Sequence, residues 1–371
     1  MAHRLAGRRS RRGGAARTGP RRADRRLHPY RHAQAGAARA RATRSRRAAA
    51  RLDAAGVTLP APAPPLYLVD ASLYVFRAWH SMPAEGFRDA DGWPTNAVHG
   101  FARFLLDLLE RERPRHIAIA FDEALDSCFR NALYPAYKAN RDPAPAELKR
   151  QFAYCKSLCA ALGLPVLAHR EYEADDLIGT ALVLARDAGF RGVIVSADKD
   201  LSQLLQAHDE QWDYARGQRW GADGVKARQG VHAHQVADYL ALCGDAVDNI
   251  PGVPGIGCKT AAVLLGHFGS LDALLGRIDE VAFLRMRGAA TVAARLREHR
   301  EQALLCRRLS TIACDAPLTD ATVPFERAAA DAATLAAFAD ALGFGPMTRR
   351  RLDAASGIAA TANGASTMSE G

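Results

Sequence analysis

Several features are missing from this 371-residue sequence, and each absence excludes a class of protein. No apolar run approaches the roughly 20 residues that a membrane-spanning helix needs, and the N-terminus does not resemble a secretory signal. The seven cysteines show no pairs of pairs at zinc-ligand spacing, so we expect buried, reduced thiols of the kind found in cytosolic proteins. No GxxxxGK[ST] motif occurs, which argues against nucleotide hydrolysis.

Acidic residues are nearly absent from the first 51 positions. This segment holds 17 Arg, no Lys and one acid, Asp24, whereas the remainder has 33 basic against 39 acidic residues. With almost no large apolar side chains it cannot bury a core, so we predict a disordered arm at residues 1–59 and a proline linker at 60–65. The arm is interpreted as a nucleic-acid tether, as an organelle-import peptide, or as the product of a start codon assigned too far upstream.

In the rest of the chain, acids stand where predicted strands end. Short apolar strands are predicted at Leu66–Val69, His116–Phe121 and Val193–Val195, and helices lie between them. Asp70 and Asp122 directly follow the first two. Alternating strands and helices predict an α/β fold with a mainly parallel sheet covered on both faces. The carboxyl ends of such strands meet at one edge, which would bring distant acids into one cleft.

The stretch Glu171–Leu205 is the most acidic part of this pattern. One group of acids begins the predicted helix Ala174–Ala188 and a second follows the third strand; they are Glu173, Asp175, Asp176, Asp198 and Asp200. Three-residue spacing predicts that Glu173 and Asp176 share a helical face while Asp175 points elsewhere. Two carboxylates about 4 Å apart repel by roughly 4 kcal/mol at an effective dielectric of 20, and a divalent metal is the simplest compensation. The alternative is that these acids are solvated helix caps and loop charges.

The segment Cys128–Pro145 mixes basic and aromatic residues with prolines. Its bases and rings are Arg130, Lys138 and Arg141 with Phe129, Tyr134 and Tyr137. Positive charge for phosphates and rings for bases suit single-stranded nucleic acid. An ordinary exposed loop with extended basic side chains is the alternative interpretation.

A glycine-rich run at residues 244–270 predicts a second nucleic-acid contact. Gly252, Gly255 and Gly257 predict a tight turn with free backbone amides, and Lys259 and Thr260 open the following helix. Glycine lets a phosphate backbone approach the main chain, and a helix N-terminus favours that anion. The pattern is typical of sequence-independent duplex binding.

The last part of the sequence is predicted to be helical. Ala- and Leu-rich helices are expected at Val292–Leu309 and Ala328–Leu342, and a frayed tail at residues 356–371.

These segments together resemble the 5′ nuclease family, which contains the 5′-3′ exonuclease domain of bacterial DNA polymerase I and its flap endonuclease relatives. The similarity covers Leu66–Leu309 in unbroken order and rests on the motifs LVDAS, FRNALYPAYKANR, EYEADD, SADKDLSQLL and GDAVDNIPGVPGIGCKTA. It implies a PIN-like nuclease domain at 66–230 with a helical arch at about 127–145. It also implies a helix-three-turn-helix that grips duplex DNA at 231–320, before a helical end and tail at 321–371.

The resemblance also implies roles for individual residues. One metal group would comprise Asp70, Asp122, Glu173 and Asp175, with Asp176 beside it. A second group would comprise Asp198, Asp200, Asp245 and Asp248. The arch would present Lys138 and Arg141 to the scissile phosphate, with Arg130 on a phosphate at its base. In the family the glycine turn, here Gly252–Gly257, also holds a potassium ion.

The expected function is hydrolysis of DNA phosphodiesters by two Mg²⁺ or Mn²⁺ ions, because oxygen-only ligands favour these metals. Expected substrates are 5′ flaps, nicks and duplexes with a single-stranded 5′ end. The rival interpretations are a structure-specific DNA-binding protein with weak or no cleavage and a PIN-like ribonuclease, against which the glycine turn argues.

No polymerase domain follows the motifs, so we expect a stand-alone monomer of the bacterial cytoplasm and nucleoid, with a DNA polymerase acting in trans. Organelle import is the alternative location, and no membrane association is expected.

Overall fold

A six-stranded sheet organises the computed structural model, which describes residues 63–123, 128–318 and 325–364. The strands are β1 (Pro65–Asp70), β2 (His116–Asp122), β3 (Val166–His169), β4 (Arg191–Val195), β5 (Glu210–Asp213) and β6 (Gln218–Trp220). Their spatial order is β3-β2-β1-β4-β5-β6, with β1 to β5 parallel and β6 antiparallel at the edge. The prediction of an α/β fold with a mainly parallel sheet is confirmed. The predicted arm lies outside the described residues.

Helices cover both faces of this sheet. In the first half of the described chain they are α1 (Ala71–Ser81), α2 (Asn96–Glu112), α3 (Phe129–Leu133), α4 (Ala146–Ala161), α5 (Ala174–Asp187) and α6 (Ala222–Gln229). They continue with α7 (Val236–Cys243), α8 (Cys258–Phe268), α9 (Leu271–Gly276), α10 (Ile278–Val281), α11 (Ala289–Glu298), α12 (Arg300–Ser310), α13 (Ala332–Ala341) and α14 (Pro346–Gly364). Across the described ranges, none of these helices is long and apolar enough for a membrane crossing.

Alternation along the strands divides the core into two halves. Leu66 and Leu68 of β1 pack on one face with α5 and the helices from α7 to α12. Tyr67 and Val69 face the other way, into a core built by α1, α2, α4, α13 and α14. Successive side chains of a strand point to opposite faces, so one apolar strand supplies both cores. Both faces are covered, and the ligand-accessible part of the sheet is its carboxyl edge.

Two predicted details are wrong. The single helix expected at Val292–Leu309 is two helices, with a break at His299. Leu296 and Ala303 are buried on either side of the break, so the apolar period continues across it and did not indicate it. The frayed tail expected from residue 356 is helical as far as Gly364, and residues 365–371 lie outside the described part.

A buried ion pair, here called the Arg130 clamp, fastens α3 to α5 and to the end of α12. Arg130 and Asp176 are 3% and 0% exposed, and two guanidinium nitrogens meet the two carboxylate oxygens at 2.7 and 2.8 Å. The guanidinium also donates to the carbonyls of Leu309 and Thr311 at 2.8 and 2.9 Å, where the last carbonyls of α12 need partners. With a further bond to Glu173 at 3.0 Å, all five N–H groups are used. The predicted phosphate contact of Arg130 is therefore wrong.

The connection from α7 to α8 depends on glycines at positive φ. Gly244 and Gly252 have φ of +77° and +64°, and a Cβ on Gly252 would lie 2.4 Å from the Gly244 nitrogen. The turn is anchored where Val253 donates its N–H to the Leu242 carbonyl at 2.8 Å and Gln302 donates to the Gly252 carbonyl at 2.6 Å. No side chain fits at Gly252 unless the main chain moves.

Replacing Arg130 with Met is expected to lower the free energy of unfolding by about 3–5 kcal/mol, because Asp176 is left buried without a counter-charge. Urea unfolding followed by circular dichroism measures the change. Adding Asp176→Asn, which removes the charge and nearly keeps the shape, is expected to restore part of the loss. Equal stability of the single and double variants would contradict this electrostatic explanation.

Gly252→Ala is expected to lower the free energy of unfolding by at least about 1–3 kcal/mol, since a left-handed alanine is strained and its Cβ meets backbone. Gly266, inside α8 with open space around it, is the control. There the same substitution is expected to raise stability by about 0.5–1 kcal/mol. Matching effects at the two positions would show that the turn does not require glycine.

Candidate active site

Asp70 and Asp122 lie next to each other at the carboxyl edge of the sheet. Asp70 caps α1 by accepting the Leu73 N–H at 3.1 Å, and it accepts the Ser196 hydroxyl at 2.8 Å. Asp122 accepts the Ala174 N–H at 2.8 Å, which places the N-terminus of α5 against the end of β2. Burial, followed by the charges of Asp122 and Asp198, raises the pKa of Asp70 to about 7. The strand ends therefore bring these acids within electrostatic reach of each other.

Asp175 completes this group from the first turn of α5. Burial raises its pKa well above the usual value, and the charges of Asp198, Asp70 and Asp122 act in the same direction. Asp198 follows β4 and is oriented by its own N–H, which donates to the Ser196 hydroxyl at 3.0 Å. Four carboxylates from three strand ends and one helix start thus face a common space.

Asp200 and Asp245 extend the group on the β4 side. Burial and the charge of Asp198 raise the pKa of Asp200 to about 7. The ammonium of Lys199 lies 3.0 Å from the Asp200 carboxylate and 2.5 Å from that of Asp245. Burial acts to raise the pKa of Asp245, but the hydrogen bond and charge of Lys199 outweigh it and hold this pKa below its ordinary value.

Glu173 and Asp248 meet at two side chains of the arch. The hydroxyl of Tyr137 donates to Glu173 at 2.9 Å and to Asp248 at 3.2 Å. Lys138 forms an ion pair with Glu173, and its ammonium lies 3.7 Å from the Asp248 carboxylate. The Arg141 guanidinium forms a second ion pair with Asp248, at 2.5 Å. Burial acts to raise the pKa of Glu173, but the charges of Lys138 and Arg130 lower it below its usual range.

Asp176, which was predicted beside the first metal group, instead binds Arg130 with both carboxylate oxygens. Besides both contacts to Arg130, its oxygens accept the N–H groups of Glu173 at 3.0 Å and Ala313 at 2.8 Å. Its acceptor positions are filled, so it is not free to bind a metal. Glu173 and Asp176 meet at the Arg130 guanidinium, as their three-residue spacing predicts, and Asp175 points elsewhere, to the cleft.

The aromatic residues of the arch also differ from prediction. Tyr137 is 3% exposed and bonded to acids, so it does not offer a ring for base stacking. Tyr134 is half-buried against the core and keeps one part accessible. The arch itself contains one short helix, α3, followed by turns up to Pro145, and residues 124–127 at its start lie outside the described part.

The acids fit a divalent metal by donor chemistry and by electrostatics. Within the described ranges, no three Asp, Glu, His or Cys side chains are gathered into a ready-made metal group. The carboxylates of Asp70, Asp175 and Asp200 nevertheless have raised pKa values, first through burial and then through neighbouring acids. A cation would offset that repulsion, and oxygen-only ligands are those that Mg²⁺ and Mn²⁺ prefer.

A cavity of about 710 Å³ opens beside these acids. Phe76 and Trp79 of α1 form an apolar part of its wall, and Lys138, Arg141 and Lys149 supply positive charge. Asp122 and Glu173 line it as well, so the cavity leads to the carboxylates. An aromatic and basic lining is suited to an unpaired nucleic-acid strand.

The glycine turn lies exposed between α7 and α8. Gly255 and Gly257 are exposed, while Val253 and Ile256 are buried and hold the turn to the core. Lys259 is exposed in the first turn of α8, and Thr260 beside it is half-buried. The carbonyls of Gly252 and Pro254 accept bonds from Gln302 and Arg295 at 2.6 and 2.7 Å. The helix-three-turn-helix and its potassium ion stay predictions.

Sequence reasoning missed four residues that shape the site. Lys199 pairs with two acids, and its position between Asp198 and Asp200 in the sequence was the available signal. The hydroxyl oxygen of Ser72 accepts the Asp122 N–H at 2.9 Å and so fixes the end of β2. Asn140 and Asn249 connect the arch to the loop that carries Asp245 and Asp248. No periodicity marks such single polar residues.

Two protein-family models match adjacent parts of the chain. The 5′-3′ exonuclease N-terminal resolvase-like domain matches residues 65–230, and the 5′-3′ exonuclease C-terminal SAM fold matches residues 231–333. DNA polymerase I of Pseudomonas aeruginosa is 43% identical over 256 residues, and that of Bacillus caldotenax is 37% identical over 257 residues. Each alignment covers 68% of this chain and 28% of the polymerase, so the chain spans little more than a quarter of these relatives.

Solved structures agree on the fold. The T5 5′-exonuclease with bound divalent metal ions (zinc) superposes with a TM-score of 0.55 at 20% identity, covering 80% of this chain and 99% of that one. The catalytic core of Rad2 in complex with DNA substrate gives a TM-score of 0.55 at 15% identity, covering 79% and 92%. With both family models matched in sequence order over residues 65–333, the chain belongs to the 5′-3′ exonuclease family.

Proposed function

We propose that the chain is a structure-specific nuclease that hydrolyses DNA phosphodiester bonds from a 5′ end and at 5′ flaps. One observation carries the proposal: acids at the ends of β1, β2 and β4 and at the start of α5 meet at one buried edge, where burial and then the neighbouring charges raise the pKa of Asp70 and Asp175. Like charges held together repel each other, and a bound metal ion would offset this repulsion. Membership of the 5′-3′ exonuclease family supports such a metal-dependent site.

The proposed cofactors are two Mg²⁺ or Mn²⁺ ions. Asp70, Asp122, Glu173 and Asp175 would hold one, and Asp198, Asp200, Asp245 and Asp248 would hold the other. When bound, such ions lower the pKa of an attacking water and stabilise charge on the leaving oxygen. Ser196, by bonding both Asp70 and the Asp198 N–H, keeps one acid from each set in a fixed orientation.

Lys138 and Arg141 would act on the substrate phosphate. Lys138 is only 25% exposed and lies between Glu173 and Asp248, so its ammonium is held at the acid cluster. Arg141 approaches from the exposed side, with 47% of its side chain accessible. A cation fixed beside the scissile phosphate stabilises charge that develops in the transition state. The cavity lined by Phe76 and Trp79 would carry the unpaired 5′ strand to this point.

The glycine turn would bind the duplex part of the substrate. Exposed backbone at Gly255 and Gly257 lets phosphates approach closely, and Lys259 adds a positive charge at the start of α8. Phosphate contacts of this kind fix position without reading sequence, as a structure-specific nuclease requires. A potassium ion at this turn and a DNA polymerase acting in trans remain further parts of the proposal.

Purified protein with Mg²⁺ or Mn²⁺ is expected to cut a labelled 5′ flap near its junction and to be inactive in EDTA. Asp198→Ala is expected to abolish cleavage and leave flap binding within about twofold, because one carboxylate is lost while the glycine turn is intact. Asp187→Ala, an exposed acid at the end of α5, is the control and should cleave normally. Intact flap, nicked and blunt substrates would refute the nuclease proposal, and cleavage of a matched RNA strand alone would favour a ribonuclease.

Lys138→Ala is expected to slow the chemical step by about 10²–10³-fold, because it removes one electrostatic group that acts in the transition state. Binding of the same flap should change little, since Arg141 and the glycine turn remain. Single-turnover cleavage and equilibrium binding measure the two effects, with Lys226→Ala on α6 as the matched control. A tenfold weaker Kd with an unchanged saturated rate would make Lys138 a tether.

A further inference from the structure

The arch and the loop that carries two of the acids are joined by several hydrogen bonds. We define the arch segment as residues 134–141 and the acidic loop as residues 245–249. The backbone N–H of Lys138 donates to the Asp248 carbonyl at 3.0 Å, and Asn140 donates to the Ala246 carbonyl at 2.9 Å. From the other side, the Asn249 amide donates to the Ala136 carbonyl at 2.6 Å. The bonds run in both directions, so each segment restrains the other.

Backbone strain accompanies these bonds at two points. Lys138 and Asn249 have φ of +55° and +56°, in the left-handed region that few non-glycine residues adopt. Asparagine tolerates this region better than most side chains. Glycine would tolerate it better still, but it has no amide to reach the Ala136 carbonyl. The hydrogen bond to the Ala136 carbonyl is what the asparagine side chain supplies here and a glycine would not.

The bond from Asn249 fixes the part of the arch that aims Lys138. Ala136 is two residues before Lys138, and the N–H of Lys138 itself is held by the residue before Asn249. The start of the Lys138 side chain is therefore fixed on both sides of its own backbone. A lysine has several rotatable bonds, and fixing its backbone limits how far the ammonium can move from the acids.

We propose that Asn249 is a positioning residue for the cleavage reaction, which acts by placing Lys138 through the Ala136 carbonyl. The proposal rests on the proposed nuclease function. Among the described residues, Asn249 makes no hydrogen bond to an acid carboxylate, and its influence passes through the arch backbone. A misplacement of about 1 Å at a catalytic group can slow a reaction about 10²-fold.

The test uses the full chain with Asn249→Gly and Asn249→Asp. Glycine keeps the left-handed backbone without strain and removes only the amide, while aspartate keeps the shape but cannot donate. Both variants are expected to lower the single-turnover rate on a 5′ flap by about 10–100-fold, with Kd within about twofold and an unchanged midpoint of thermal unfolding. Arg113→Gly is the matched control, because Arg113 is also left-handed (φ +48°) and caps α2 away from the acids. It should cleave normally.

A double-variant cycle with Lys138→Ala separates positioning from a structural role. If Asn249 acts through Lys138, Asn249→Gly should slow the Lys138→Ala protein by no more than about twofold, because the group that it places is already gone. An equal slowing in both backgrounds, a parallel loss of binding, or unfolding of both Asn249 variants would overturn the proposal. Cleavage by the unchanged protein tests the nuclease function separately, since that function stands even if every Asn249 variant cleaves normally.

Discussion

Repulsion between carboxylates is the constraint on which the arrangement of this protein depends. The sheet brings Asp70, Asp122 and Asp198 to one edge, and α5 adds Asp175, so each ionised group disfavours the next. Such an edge persists only if the surrounding structure holds it rigidly. Ser196 and the N-terminus of α5 orient the acids, Lys138 and Lys199 balance part of the charge, and the Arg130 clamp secures α5 from behind.

The strand ends could be predicted because they follow from local pattern. An apolar run followed by an acid locates Asp70 and Asp122, and the parallel order then brings them together. Which acid of α5 faces the cleft could not be obtained in the same way. Spacing places Glu173 and Asp176 on one side of the helix start, but it does not say which side meets the cleft. That depends on the buried Arg130, which holds Asp176 and so leaves Asp175 towards the other carboxylates.

The arch shows the limit of composition as a guide. Basic and aromatic residues in a mixed segment predicted contact with nucleic acid, yet Arg130 and Tyr137 turn inwards. Their partners, Asp176 and Glu173, lie 46 and 36 residues further along the chain. A local sequence pattern cannot predict hydrogen bonds between residues so far apart. Lys138 and Arg141 stay at the cleft. The same composition therefore contains residues that secure the arch and residues that face the cleft.

The return of the chain to the sheet has a consequence for how the molecule assembles. Ile117 of β2 donates its N–H to the Phe325 carbonyl at 3.0 Å, and Leu335, Leu342 and Leu352 fill the core beneath α1, α2 and α4. Because contacts between residues more than 200 positions apart form late, the sides of α2 and α4 that these helices cover stay exposed until the last part of the chain is synthesised. The half of the chain that contains the sheet thus acquires its full core only after translation has passed the helices of residues 236–310, so its folding depends on the whole described chain.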